Sequence, residues 1–190
     1  GDREPYPYDR GRRGAFLDRF LAPGPPPARS LPVIDQGGFT GAVYEMHIRR
    51  RDGRPEATLT RTAEAPGGRV HIDKVVAFDA DGRTLRARYR LTGVEGDVDA
   101  RFAVEHNLGL FFDERPQGEV ALGERHFSLR RGGAARQTSE ATVTLGEHGI
   151  SVHMTTDRPA DIDVRPVFTV SQSEAGFEEI PQSLACLYSW

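Results

Sequence analysis

VRPVFTVSQSEAGFEEIPQSLACLYSW, residues 164–190, is the stretch of this 190-residue chain that says most about its fold. Two runs with the alternation and bulk of β-strands flank an acidic segment around Gly176. The chain closes on Trp190, its only tryptophan. Two such runs around a short turn are typical of an antiparallel hairpin. The end of the chain therefore predicts antiparallel β-structure.

The same period-two pattern extends outward from this stretch to Phe39. Between Leu85 and Leu91, for example, apolar residues alternate strictly with arginines, and Ala80–Gly82 before them has the composition of a hairpin turn. Roughly ten such runs occur, with turn residues about every 8–12 positions, and this spacing is the sequence pattern of an antiparallel sandwich. The fold class predicted is all-β, as a large, twisted, antiparallel β-sandwich.

The N-terminal part has a different pattern. Four apolar residues in Gly11–Leu21 have helical spacing, which predicts a short N-terminal helical segment. The proline-rich stretch APGPPPARSLP (22–32) is incompatible with a helix or a central strand and predicts a stiff connector. We expect residues 1–32 to be a lead-in packed on the domain and residues 33–190 to be the β-sandwich.

Composition excludes several classes of function. The net charge of −3 offers no electrostatic attraction to nucleic acid or to an anionic membrane. The sequence contains no apolar run that could span a bilayer and no phosphate-binding, dinucleotide-binding or metalloprotease motif. One cysteine, Cys186, excludes an internal disulfide and indicates a reducing, cytoplasmic location. We expect neither a cofactor nor a metal.

Three segments resemble one known family. The closing stretch, YDRGRRGAFLDRFL (8–21) near the start and VEHNLGLFF (104–112) in the middle are similar to the end, opening and central strand of one domain. That domain is the C-terminal β-sandwich of the α-amylase and 4-α-glucanotransferase enzymes of glycoside hydrolase family 57. The resemblance covers nearly the whole chain and rests mainly on its last segment.

The resemblance implies a fold similar in layout to the galactose mutarotase sandwich. It also implies that the catalytic carboxylates, which would cleave α-1,4-glucan with retention, lie elsewhere, on an N-terminal (β/α) barrel of a parent chain. No part of this sequence resembles that barrel. The implied partners are therefore an α-glucan or maltodextrin and the barrel, and an apolar face without its barrel would favour a homodimer.

The segment around the only asparagine holds the first candidate site. Strict alternation places Glu105 and Asn107 on one face of a strand and His106 on the apolar face, unless a bulge near Asn107 exchanges them. The carboxylate and the amide could bind sugar hydroxyls or a partner domain. The simpler interpretation is that Asn107 is satisfied by a neighbouring backbone group.

The second candidate site is the closing stretch itself. Gln172 and Glu174 lie beside Gly176, in a turn that could direct polar side chains at a ligand or at a partner domain. A tight turn stabilised by its own side chains explains the same residues. Trp190 continues the apolar face of Tyr188, which favours a core position, whereas an exposed indole would form a platform for sugar stacking.

Other polar residues carry weaker hypotheses. The six histidines lie on separate strands without the spacing of a metal motif, although His71 with Asp73 and His47 with Glu45 could converge. Lys74 interrupts an apolar face and indicates a bulge, a buried ion pair or a strand edge. Cys186 lies on an apolar face and is interpreted as a buried side chain rather than a nucleophile.

Two alternative functions remain open at this point. One is a mutarotase-like aldose epimerase, which needs a base and an acid across one concave face; Glu105 and a histidine such as His71, His126 or His153 could supply them. The other is a free-standing module that binds glucan without turnover. The leading prediction is a non-catalytic accessory sandwich of an enzyme acting on α-1,4-glucan.

Overall fold

The computed structural model describes residues 14–24, 35–109, 118–146, 149–173 and 176–190, with their side chains apart from those of residues 170–173, 176–179 and 181. These residues form eleven strands: β1 (Leu17–Leu21), β2 (Glu45–Arg51), β3 (Arg54–Ala65), β4 (Gly68–Phe78), β5 (Leu85–Gly96), β6 (Arg101–Leu108), β7 (Gly118–Leu122), β8 (Arg125–Ser128), β9 (Gly133–Leu145), β10 (Ile150–Ser173) and β11 (Gly176–Ser189).

The strands form two sheets. One has seven strands in the order β1-β6-β11-β10-β9-β7-β8, and the other has four in the order β2-β3-β4-β5. The pairings on both sides of β10 and throughout the four-stranded sheet are antiparallel. The prediction of an all-β antiparallel fold of the sandwich class is therefore confirmed.

The chain divides into two compact units, one built mainly of Leu31–Arg101 and the other mainly of Phe102–Trp190. The first contains the four-stranded sheet. Its predicted hairpin turn at Ala80–Gly82 is confirmed: it joins β4 to β5, and Gly82 has the positive φ of 65° that such turns require.

In the second unit, β10 is the strand that organises the sheet. Its last part pairs with β11 and its first part with β9, and around Ile162 it pairs with both. Ile162 lies opposite Tyr188, and Val164 opposite Cys186. Because these pairs point to one side, they line up one continuous apolar face, which the buried residues of β7 and β9 extend.

The helix predicted for Gly11–Leu21 is wrong over the described part of that segment. Gly14 to Phe16 are irregular, and Leu17–Leu21 is a strand beside β6. Phe16 has a φ of 58°, which interrupts any right-handed helix at that point. The sequence LDRFL of Leu17–Leu21 fits a strand's alternation as well as a helix's spacing. It forms a strand because β6 is available as its hydrogen-bonding partner. No helix within the described ranges is long and apolar enough to cross a membrane.

One sequence prediction falls partly outside the described residues. The proline-rich connector of residues 22–32 is described only as far as Gly24. The division into residues 1–32 and 33–190 stays a prediction.

The core of the second unit can be tested with two isoleucines on the same strand. Ile162 is fully buried, whereas Ile150 is 49% exposed. We expect Ile162→Ala to lower the free energy of unfolding by about 2–5 kcal/mol, since it leaves a cavity in a packed core. Ile150→Ala is the matched control, with an expected effect below about 1 kcal/mol. Urea denaturation measures both, and equal effects would contradict the assigned core.

Candidate functional site

Strand β6 carries the first candidate residues on the faces that alternation predicts. The β6–β11 register is regular from Ala103 to Leu108, so no bulge exchanges the faces. The His106 ring lies edge-on to Phe16 at 4.6 Å and to Tyr188 at 5.9 Å between centroids. His106 is therefore held among aromatic rings, on the face opposite to Glu105 and Asn107.

Asn107 and Glu105 contact each other directly. The Asn107 amide nitrogen, Nδ2, donates to Glu105 Oε1 at 2.8 Å and to the Gly14 carbonyl oxygen at 3.0 Å. The backbone N–H of Asn107 donates to the same carbonyl at 3.0 Å. Since an amide nitrogen carries two hydrogens, these two acceptors account for both. The interpretation that a backbone group satisfies Asn107 is confirmed, and its effect is to tie residue 14 to the sheet.

A second polar pair lies on the same face, two strands away. The Arg165 guanidinium donates to both carboxylate oxygens of Asp163, at 2.7 and 2.6 Å. The registers put Asp163 opposite Leu187 and Leu187 opposite Glu105. Glu105 and Asp163 are therefore separated by one strand, or about 10 Å. We call Glu105, Asn107, Asp163 and Arg165 the polar row.

The carboxylates of the polar row are buried and hydrogen-bonded. Glu105 is only 6% exposed and Asp163 is equally buried. Charge-assisted hydrogen bonds of this kind offset the desolvation of buried carboxylates. Asp163 and Arg165 were not among the predicted site residues. Their alternation with apolar neighbours was visible in the sequence, but the register that places them beside Glu105 was not.

Trp190 differs from the expectation of a core side chain. Leu184, Cys186 and Tyr188 are buried as predicted, but Trp190 is 38% exposed. Its ring stacks on Phe102, with centroids 6.2 Å apart and planes 20° apart, and its Nε1 donates to the Arg158 carbonyl at 3.3 Å. The core interpretation of Trp190 is therefore wrong. The indole is held in one orientation with part of its surface open.

The remaining predicted site residues lie in the β10–β11 hairpin. Gln172 pairs with Phe177 through the backbone, and Ser173 pairs with Gly176, so the two strands of the predicted hairpin are paired. The turn residues 174 and 175 lie outside the described residues. The side chain of Gln172 and the whole of Glu174 lie outside the described residues. The structure therefore brings Glu105 and Asn107 together and leaves Trp190 as a separate feature.

The histidine pairs suggested by the sequence do form. His71 Nε2 lies 3.2 Å from Asp73 Oδ1, and its Nδ1 lies 2.8 Å from the Thr62 hydroxyl. His47 Nε2 also lies 3.2 Å from Glu45 Oε1. Each is a pair on a solvated strand surface. Across the described ranges, no three His, Cys, Asp or Glu side chains are grouped so that they could hold a metal ion.

Lys74 is buried beside two aromatic rings. Its pairing with β3 and β5 is regular and β4 is an inner strand, so neither a bulge nor a sheet edge explains it. The ammonium group lies 4.9 Å from the Tyr44 ring centroid and 5.3 Å from that of Tyr89. Desolvated cation–π contacts of this kind are worth about 2 kcal/mol. The side chain is only 4% exposed, and the two rings are among its contacts.

Cys186 is confirmed as a buried side chain. Its burial, with a smaller effect of the Glu105 carboxylate, raises the pKa of the thiol from 9.0 to about 12. A thiol with this pKa carries almost no thiolate at neutral pH and is a poor nucleophile. Burial also raises the pKa of the neighbouring Tyr188 hydroxyl.

Comparison with known proteins identifies the family. Residues 3–190 match the family model described as "Alpha-amylase/4-alpha-glucanotransferase, C-terminal". Because the match covers nearly the whole chain, the chain belongs to this family of C-terminal domains. The resemblance found in the sequence is confirmed, and nothing in the comparisons supports the epimerase alternative over it.

Two similar proteins are much longer than this chain. An α-amylase of Pyrococcus horikoshii is 26% identical over 187 residues, which are 94% of this chain and 24% of the relative. The crystal structure of a 4-α-glucanotransferase from Thermococcus litoralis superimposes on this chain with a TM-score of 0.72 and 23% sequence identity. The match covers 96% of this chain and 26% of the glucanotransferase chain. The structural match supports the fold. The chain spans about a quarter of the length of either relative.

The role of Asn107 can be tested by removing its amide. Asn107→Ala leaves the Gly14 carbonyl and Glu105 without this donor, and we expect a loss of about 1–3 kcal/mol in the free energy of unfolding. Glu105→Gln keeps an oxygen acceptor for Asn107, and its expected effect is below about 1 kcal/mol. Urea denaturation of the two variants measures the difference. Wild-type stability in Asn107→Ala would show that the amide does not hold residue 14.

The raised pKa of Cys186 predicts an alkaline loss of stability. The thiol of the unfolded chain ionises near its ordinary pKa of 9.0, whereas the folded thiol stays protonated to about pH 12. Ionisation above pH 9 therefore favours the unfolded chain, and the stability present below pH 9 falls as the pH rises to 12. Urea midpoints at about pH 8 and about pH 11 measure this loss. In Cys186→Ala the loss of stability between these two pH values should be smaller than in the wild type. An equal loss would show that the Cys186 thiol is not its cause.

Proposed function

We propose that this chain is the non-catalytic C-terminal domain of a longer enzyme that acts on α-1,4-glucan, and that the catalytic carboxylates lie in the N-terminal part of that enzyme. The observation that carries the proposal is the family match over residues 3–190. Its two relatives are named as an α-amylase and a 4-α-glucanotransferase, and each is about four times as long as the matched region.

The geometry of the polar row supports an accessory role. A general acid or base must reach a substrate atom, either directly or through one water molecule. Glu105 and Asp163 are both buried, and each is bound to a neighbouring side chain. We infer that this row holds the N-terminal segment and the strands in place. The single cysteine, which leaves no internal disulfide, supports a cytoplasmic location for the enzyme.

Trp190 is the contact residue that we propose for a glucan. Pyranose rings present flat apolar faces, and an indole offers a complementary surface. Stacking on Phe102 and the Nε1 hydrogen bond hold the ring in place before any ligand arrives. A pre-oriented ring loses little conformational entropy on binding. Gln172 and Glu174, in the β10–β11 hairpin, remain proposed polar contacts to the glucan or to the catalytic domain.

Calorimetric titration of the chain with maltoheptaose tests the contact. We expect binding without release of glucose, and an affinity that Trp190→Ala lowers about tenfold, equivalent to about 1.4 kcal/mol. Ile150→Ala is the control, because it removes an exposed apolar side chain that lies on another strand. Binding that survives Trp190→Ala unchanged would exclude the tryptophan as the contact.

Turnover is measured on the same samples. Release of glucose, or faster mutarotation of glucose, by the chain alone would overturn the accessory role. Such activity would direct attention to Glu105 and the exposed histidines. If the titration shows no heat of maltoheptaose binding and the chain shows no turnover, we would conclude that the domain acts only by binding the catalytic part of the enzyme.

A further inference from the structure

The four-stranded sheet has one predominantly apolar face. The registers place Met46, Leu59, Lys74 and Tyr89 in one row across the sheet. Ile48, Ala57, Val76 and Ala87 form the next row, and Phe78 and Leu85 form a third. Because side chains alternate along each strand, these three rows lie on the same side. We call them the apolar face.

The two ends of the apolar face differ in exposure. Beyond the Lys74 row, Ile72 is fully buried, and the Arg61 guanidinium reaches the Val43 and Gly38 carbonyls at 2.7 and 3.2 Å. The segment that carries these carbonyls therefore lies over β3 and β4 at that end, whereas Leu91 of β5 is 40% exposed.

The other end of the apolar face is open. Ile48 is 66% exposed, Met46 54%, Phe78 45% and Leu85 43%. Soluble monomers seldom expose large apolar side chains in such a contiguous group, and an exposed group of this kind marks an interaction surface. The exposed side chains come from three of the four strands, because β2 supplies Met46 and Ile48, β4 supplies Phe78 and β5 supplies Leu85.

One charged side chain of the strands lies at the open end, that of Arg50, on the same side as Met46 and Ile48. Glu45 and Glu56 alternate onto the opposite side, and Lys74 is buried. A partner surface with apolar side chains and a carboxylate placed near Arg50 would be complementary.

We propose that the open end of the apolar face docks on the N-terminal catalytic part of the parent enzyme. This inference rests on the proposed function, because it needs the longer chain that the relatives have. About three quarters of each relative lies outside the matched region, which is enough to supply a folded partner. The partner surface is expected to be apolar, with a carboxylate opposite Arg50.

The two methionines of the chain provide an internal test. Met46 lies on the open end, whereas Met154 packs against the core of the other unit. Oxidation by hydrogen peroxide follows solvent exposure, so in the 190-residue chain Met46 should be oxidised faster than Met154. In the full parent enzyme the rate at Met46 should fall about fivefold or more, with no comparable change at Met154. Peptide mass spectrometry gives both rates from one sample.

Paired substitutions separate docking from folding. Ile48→Lys should leave the melting temperature of the 190-residue chain nearly unchanged, because the residue is exposed there, and should lower that of the full enzyme by several degrees. Ile150→Lys, at an exposed isoleucine outside the apolar face, should leave both unchanged.

Three results would overturn the proposal in different ways. Equal Met46 oxidation in the chain and the full enzyme would remove this face as the docking surface but leave the proposed function standing. Protection of Met46 in the 190-residue chain that grows with protein concentration would assign the face to a second copy. A gene that encodes no catalytic part would overturn the proposed function, and this inference with it.

Discussion

The pairing of β10 with β9 and β11 is the constraint on which the seven-stranded sheet depends. Around Ile162, one strand satisfies hydrogen bonds on both sides and sets two registers at once. Through β11, the same registers position β6 and hence His106, Glu105 and Asn107. A slip of one residue would turn every side chain of the strand to the opposite face. The buried core and the polar row are therefore two consequences of one register.

The polar row shows how the same constraint separates stabilising residues from residues that can meet a ligand. The Glu105 and Asp163 carboxylates on this face are buried and are hydrogen-bonded to an amide and a guanidinium. Buried, paired carboxylates of this kind stabilise the fold and are poorly placed to react with a substrate. The indole of Trp190 stays partly open because it lies at the end of β11, past the last paired residue. In this sheet, buried polar groups hold the strands and an open aromatic ring is available for contact.

The four-stranded sheet meets a different requirement. Two tyrosine rings lie beside the buried ammonium group of Lys74 on an otherwise apolar face. Farther along that face, large apolar side chains remain exposed, which is unfavourable for an isolated domain and favourable for one with a partner. The membership in a family of C-terminal domains and the open apolar face both support the proposed association with a larger enzyme.

Alternation along the chain determined the all-β class, most of the strands, the hairpin turn before β5 and the face on which Cys186 lies, because side-chain period is a local property. The segment around Leu17–Leu21 fits both a helix and a strand, and only its position beside β6 decided between them. The exposure of Trp190, the rings around Lys74 and the approach of Asp163 to Glu105 depend on registers between residues far apart in sequence. Local pattern contains no information on those registers, so the tertiary structure alone decided them.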